Sequence, residues 1–413
     1  MWQTLKQKYL VGFWNPLPAV IALGILSTYY FGLTGSLWAV TGEFTRWGGH
    51  VLHFLGVDIS RFHYYDIQNM SGTPLSRNDG IMVIGMFVGA LIATLWANNF
   101  KIRLPKSKIR IAQGFLGGII AGFGARLAMG CNLANFFTGI PYFSLHTWVF
   151  SIFMIIGIYI GTKFVALPCF LPKVDMQKVH TQKQLSDTRS RSFVLFILGC
   201  VVFLLSVLWI IYLTHVAPTP KGRALPVLGM ALGFGISFGF IIARAQICFT
   251  SAFRDLFMTG RTQMAKAVVI GMAISCIGVF SYLMLGNAPK IYWLGPNIIL
   301  GGLLFGFGIV LSGGCECGWM YRAIEGQVHY WVVGIGNVVG TMILALSWDY
   351  YGEALATSWP KINLLDVFGN YGGLIVNYAL LGLAFIFILW VQQRFFRKNI
   401  FQSPSTQCIN TRK

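Results

Sequence analysis

Three cysteines in this chain stand at similar junctions. Cys131 ends the glycine-rich run 117–131, Cys315 ends the run 301–315, and Cys248 follows Arg244-Ala-Gln-Ile. Each is followed by a stretch too short to cross a bilayer, at 132–139, 249–257 and 316–323. A thiol is a soft, polarizable group that donates a weak S–H bond and, as the thiolate, is a nucleophile. If a short helix begins at such a cysteine, its free N–H groups and positive dipole end collect around the thiol. That arrangement suits an anion and makes the thiol a better donor. Glycines at 122, 124, 130, 306, 308, 313 and 314 would let backbones come close around the path. Cys131, Cys248 and Cys315, with Gly130 and Gly314 beside them, are therefore the candidate substrate-binding residues. Arg244, four residues before Cys248, is the candidate counter-charge. Cys317 and Arg126 are further candidates, although Cys317 has Leu133 at its matching position. Glu316 would repel an anion, so it is expected to face away or to pair with Arg322. His146 and His329 fit packing at the membrane edge, and Cys169, Cys200, Cys276 and Cys408 read as small packing residues.

Other chemistries find little support. No tight Cys/His cluster suggests a metal. Cys315-Glu-Cys317 lacks the two-residue spacing of the common redox pair. Neither a His-Glu-x-x-His motif nor a nucleotide-binding Gly-x-x-x-x-Gly-Lys-Ser/Thr motif is present. No cofactor is implied, the chain is not expected to be an enzyme, and any transport would draw on a gradient or on metabolic trapping.

The elements that hold these residues follow from composition. Of 413 residues, 56% are hydrophobic and 10% charged, where a soluble domain carries about 25% charged residues. The net charge of +19 does not point to nucleic acid, because the basic residues fall in gaps between apolar segments and not on one folded face. A hydrocarbon core takes about 20 apolar residues per helix. Ten spans fit, near 18–35, 80–97, 109–130, 147–167, 192–214, 225–243, 265–285, 298–314, 331–347 and 372–392. The first has no small-residue cleavage site and reads as uncleaved. Basic residues crowd the gaps at 101–110, 173–191 and 244–261 and the tail, while 287–297 and 348–371 are poor in them. The positive-inside rule then sets both termini in the cytoplasm. The expected fold is an all-α polytopic membrane protein of about ten transmembrane helices with short re-entrant half-helices.

The two halves resemble each other. Residues 117–131 align without gaps on 301–315 with eight of fifteen positions identical, Val83-Ile-Gly-Met matches Val269-Ile-Gly-Met, and Thr41-Gly-Glu-Phe falls against Thr250-Ser-Ala-Phe. The chain divides into a first repeat (15–167), a cytoplasmic linker (168–191), a connecting helix (192–214), a second repeat (225–393) and a tail (394–413). Four crossings precede the connector, so the second repeat is expected to be inverted, with the substrate site at the repeat interface.

Arg244-Ala-Gln-Ile-Cys-Phe-Thr-Ser-Ala-Phe-Arg-Asp255, together with Gly-Cys at 130–131 and Gly-Gly-Cys at 313–315, resembles the YeeE/YedE family of sulfur-transport membrane proteins. Thr41-Gly-Glu-Phe-Thr-Arg-Trp-Gly-Gly49 and Glu325-Gly-Gln-Val-His-Tyr-Trp331 fit the branch of it linked with selenium metabolism. The resemblance implies an hourglass-like inverted-repeat bundle that takes up thiosulfate, with cysteines making S–H···S contacts to the substrate. By motif those roles fall on Cys131, Cys248 and Cys315. Ala39, opposite Cys248 in the repeat, departs from a fully paired pattern and leaves room for a selenium-containing or other soft anion. The expected partners are a small inorganic sulfur or selenium anion, the lipid bilayer and a cytoplasmic sulfur- or selenium-handling protein. Two alternatives stand: a membrane protein that delivers sulfur or selenium through Cys315 and Cys317, and a thiol oxidoreductase.

Overall fold

The computed structural model describes residues 6–105, 107–167, 188–216 and 227–401. Most of the expected linker, Cys169, Cys408 and the tail beyond 401 lie outside the described residues. The first half comprises Pro16–Thr34 (α1), Thr41–Phe54 (α2), His63–Gln68 (α3), Asn78–Trp96 (α4), Lys108–Leu127 (α5), the π-helical turn Asn132–Phe137 (α6) and Leu145–Val165 (α7). Thr188–Val216 (α8) connects it to the second half. There follow Val227–Ala245 (α9), Phe249–Thr259 (α10), Gln263–Met284 (α11), Pro296–Ser312 (α12), Glu316–Ile324 (α13), Val328–Gly352 (α14), Leu364–Phe368 (α15) and Asn370–Phe401 (α16). Among the described residues there is no strand, only three isolated β-bridges.

Nine helices among the described residues are long and apolar enough to cross a membrane. The tenth expected crossing, 109–130, is α5. Arg110, Gln113, Arg126 and its glycines lower its hydropathy, yet it packs along α12 and α14. The connector α8 and the last helix α16 expose most of their apolar side chains, Leu204 by 60% and Ile375 by 68%. On a water-soluble protein such faces would drive aggregation, whereas here they are the surface that lipid covers. The chain is a polytopic α-helical membrane protein.

Helices of one half pair with helices of the other: α1 with α11, α4 with α9, α5 with α12 and α14, and α7 with α12. Lipid tails are as apolar as leucine, so such pairs depend on close backbone approach. Gly-x-x-x-Gly steps supply it at 85/89 on α4, 118/122 on α5, 235/239 on α9, 302/306 on α12 and 336/340 on α14. At Gly122 a side-chain carbon would run into the Asn337 carbonyl, and at Gly306 into that of Met154. Gly122→Val is expected to cost about 3 kcal/mol or more, read as a lowered Tm of the detergent-purified protein. A variant melting with the unaltered protein would overturn this account of the α5–α14 seam.

Loops tie the halves at both ends of the bundle. At one end Lys101 donates to Glu325 and Arg103 to Gly326, while at the other Leu145 donates to Ile362 and Leu364 to Phe143. Helix α14 runs from the first end to the second.

Candidate functional site

The turns before the three cysteines share one backbone device. Helices α5, α9 and α12 stop, a residue takes the left-handed conformation, and two positions later the cysteine caps a short helix. The left-handed residues are Met129 (φ 59°), Gln246 (φ 51°) and Gly313 (φ 83°). Glycine enters that region freely, but methionine and glutamine do so at a cost that the surroundings must offset. Gln246 is held by its amide, which donates to the Ala243 carbonyl at 3.0 Å and to Glu325 Oε1 at 2.8 Å. The turn after Met129 is held by Asn135, whose amide donates to the Ala128 carbonyl at 2.6 Å and the Gly130 carbonyl at 3.2 Å. A side chain at Gly130 would collide with Asn135, so this glycine secures the turn and not a free passage. Gly314 packs on the Tyr330 ring.

Cys131, Cys248 and Cys315 are the N-caps of α6, α10 and α13, each in extended backbone with no side-chain capping bond. Their carbonyls accept the first helical bonds, from Asn135, Ala252 and Trp319. The thiols therefore stay available beside three helix N-termini. All three cysteines are at most 1% exposed. Cys248 Sγ lies 3.8 Å from Cys315 Sγ, and Gly318 covers both, since a side-chain carbon there would stand 3.0 Å from the first and 3.4 Å from the second. Cys317, the second residue of α13, lies near Cys131, Cys248 and Cys315. Four buried thiols thus form one cluster between the two ends of the bundle.

The polar surroundings differ from expectation in one respect. Glu316 does not pair with Arg322 and does not face away. It is 1% exposed, accepts from Thr41 Oγ1 at 2.8 Å and from Asn337 Nδ2 at 3.3 Å, and its carboxylate lies near the Cys131 thiol. The cause is α13's entry into the core beside α2 and α14, which fixes the first-turn side chain toward the other half. Arg322 points toward the opposite end, donating to Tyr330 Oη at 2.7 Å, Tyr321 Oη at 3.0 Å and the Gly313 carbonyl at 3.1 Å. It has no carboxylate partner among the described residues and stands near the Cys248 side of the cluster. Arg110 approaches Gly313 from α5, so two cations flank the Cys315 turn.

Arg244 is 2% exposed, but its guanidinium donates to the carbonyls of Val11 and Gly12. It clasps the segment before α1 and does not touch the thiols. Arg126 lies over the Tyr64 ring at 5.3 Å, and its Nε has no hydrogen-bond partner. Asn132, the Thr250 hydroxyl and the Trp319 indole N–H are likewise buried without a partner next to the cluster. Such groups are rare in a folded interior and can serve a polar ligand. Glu43, which the sequence reading left without a role, is fully buried and bound by Arg77 at 2.8 Å and Arg46 at 3.1 Å, with Asp79 3.2 Å from Arg46. Cys276 accepts from Asn377 on the far side of α11, and Cys200 is exposed on the connector. No group of three or more His, Cys, Asp and Glu among the described residues is placed to hold a metal ion.

A family model described as sulphur transport matches residues 1–160 and 244–412. The chain belongs to this sulphur-transport family. Among its relatives there, the chain is similar to the protein named Probable transporter YedE of Salmonella typhimurium, 58% identical over 397 residues, 96% of this chain and 97% of the relative. The Escherichia coli protein of the same name matches to the same extent. A shorter stretch is 37% identical over 102 residues to the thiosulfate transporter TsuA of Escherichia coli, covering 24% of this chain and 28% of the relative. The Spirochaeta thermophila protein of that name is 39% identical over 88 residues, 21% of this chain and 26% of the relative. The resemblance read from the cysteine motifs is borne out, and transport is the activity the family carries.

Proposed function

We propose that this chain is an inner-membrane permease for a reduced sulfur or selenium anion of the thiosulfate kind, passed along the buried thiols. The observation that carries the reading is the thiol cluster itself, four soft donors at helix N-termini between the two ends of a membrane bundle. An anion arriving from the end that holds the 128–145 and 353–369 loops meets Cys131 first, then Cys317, then the Cys248–Cys315 pair, and leaves past Arg322 and Arg110. Sulfur and selenium share the polarizability that thiols favour, so both remain within the substrate class. The transporters named for thiosulfate support the sulfur member.

The reading includes two inverted repeats and cytoplasmic termini. The exchanged pairing supports the first: α1 pairs with α11 as α9 pairs with α4, and α7 with α12 as α14 with α5, the pattern a two-fold relation would leave. The lysine and arginine bias of the loops supports the second.

Purified protein in liposomes is expected to take up labelled thiosulfate faster than sulfate, and Cys131→Ala to lose that uptake, with selenite run beside them. Uptake of a soft anion that the variant retains in full would remove Cys131 from the path. One observation favours a second reading: two buried thiols 3.8 Å apart are close enough to exchange a carried sulfur or to cycle as a disulfide. Absence of uptake, with a sulfur or selenium adduct on Cys315 or Cys317 in intact-protein mass spectra, would favour delivery.

A further inference from the structure

We propose that Glu316 is a proton-binding site coupled to anion passage, making the protein a proton–anion symporter. The inference rests on the permease reading above. Glu316 is enclosed at 1% exposure, and none of the ion pairs among the described residues includes it. Glu43, equally buried on α2, is by contrast bracketed by two arginines. Arg126 faces Glu316 without forming an ion pair, so a charge here is only partly compensated in a membrane interior, and a proton relieves the remaining cost.

The cage around Glu316 accommodates either form. Its partners are a hydroxyl on α2, Thr41, and an amide on α14, Asn337. A hydroxyl donates or accepts by rotation, and Asn337 Oδ1 has no other partner, so a turned amide can accept from the carboxyl O–H. The charged and titratable groups facing Glu316 are Cys131 from the α5–α6 turn, Arg126 from α5 and Cys317 from its own helix. The facing groups of α2 and α14 are the neutral Thr41 and Asn337, since Glu43 is occupied by its arginines.

Coupling follows from the nearness of Glu316 to Cys131. An anion on that thiol stands against the same carboxyl, which repels it when charged and donates to it when protonated. Anion and proton therefore favour each other's binding by equal factors. Release of the proton toward the other end restores the repulsion and expels the anion past Cys315. The matching position of the first half is Asn132, which cannot ionise, so the repeat supplies one such site.

The test uses purified protein in liposomes with the membrane potential clamped at zero and labelled thiosulfate as the probe. In the unaltered protein each unit of inward pH gradient is expected to raise steady-state accumulation about tenfold per coupled proton, with acidification of a trapped pH dye. Glu316→Gln is expected to bring internal and external label only to equality, whatever the gradient, while Glu316→Asp, which keeps an ionisable carboxyl, retains accumulation. An unaltered protein that exchanges label without accumulating it, or a Glu316→Gln variant that accumulates as the unaltered protein does, overturns the inference and leaves the permease intact. Failure of the unaltered protein to exchange label at all removes the permease reading and this one with it.

Discussion

Cys248→Ala is expected to lower thiosulfate uptake about a hundredfold, a loss of about 2.7 kcal/mol from the transport barrier. Cys315→Ala and the double variant should fall to the same level. The argument rests on their separation of 3.8 Å, which lets one soft atom touch both thiols at once. Groups that act as a unit are not additive, so removing either partner forfeits most of what the pair does. The change deletes one sulfur from a buried site and leaves the backbone caps untouched, because each carbonyl and not the thiol holds the first helical bond. Protein level and Tm should therefore stay near those of the unaltered protein.

Cys276→Ala supplies the contrast. That thiol is as buried as Cys248 but accepts from Asn377, away from the cluster, so uptake should change by less than about twofold. Independent, multiplicative losses at Cys248 and Cys315 would indicate two separate stations, and normal uptake in either single variant would discard the relay.

The sequence carried the outline of this arrangement because each part has a local signal. Apolar runs of bilayer length mark the crossings, and the repeated Gly-Cys ends mark where α5 and α12 stop. The short stretches after Cys131, Cys248 and Cys315 are too brief to span, and they form α6, α10 and α13. What was hidden depends on partners far along the chain. Thr41 and Glu316 are 275 residues apart, and nothing near Glu316 announces a hydroxyl from the other half. Glu316 was expected to face away or to pair with Arg322, but tyrosine hydroxyls and a carbonyl satisfy Arg322 where no acid reaches.

Two backbone features were hidden for another reason. The left-handed turn at Gly313 is announced by glycine, whereas that at Met129 is held by a local side-chain bond from Asn135 and that at Gln246 by a bond from its amide to the distant Glu325. Helix α2 escaped notice because 14 residues with Glu43 and Arg46 in them look like a polar loop; only the buried Glu43–Arg46–Arg77 network makes that stretch fit a membrane bundle. Arg244 shows the converse. Its place before Cys248 suggested a counter-charge, but the segment at residues 11–14 reaches it first.

Gly318→Val is expected to abolish uptake outright with some loss of Tm from overpacking, and Gly318→Ala to lower uptake about tenfold without lowering Tm appreciably. The direction is opposite to what helix energetics alone would give. Gly318 lies inside α13, and replacing a helical glycine by alanine ordinarily stabilises by about 1 kcal/mol. Here the added carbon would stand 3.0 Å from Cys248 Sγ and 3.4 Å from Cys315 Sγ, inside the separation at which non-bonded heavy atoms attract, about 3.5–4.0 Å. The methyl of alanine can be taken up by a small rotation of the thiols, which spoils their alignment toward a substrate but keeps the fold. The branched side chain of valine fills the space between them, so an anion meets a methyl wall where it needs two S–H donors. Thermal unfolding and uptake measured on the same preparations separate the two effects. Loss of transport by Gly318→Ala with Tm held or raised marks Gly318 as the spacer of the thiol pair; full transport by Gly318→Val would mean that the anion passes elsewhere.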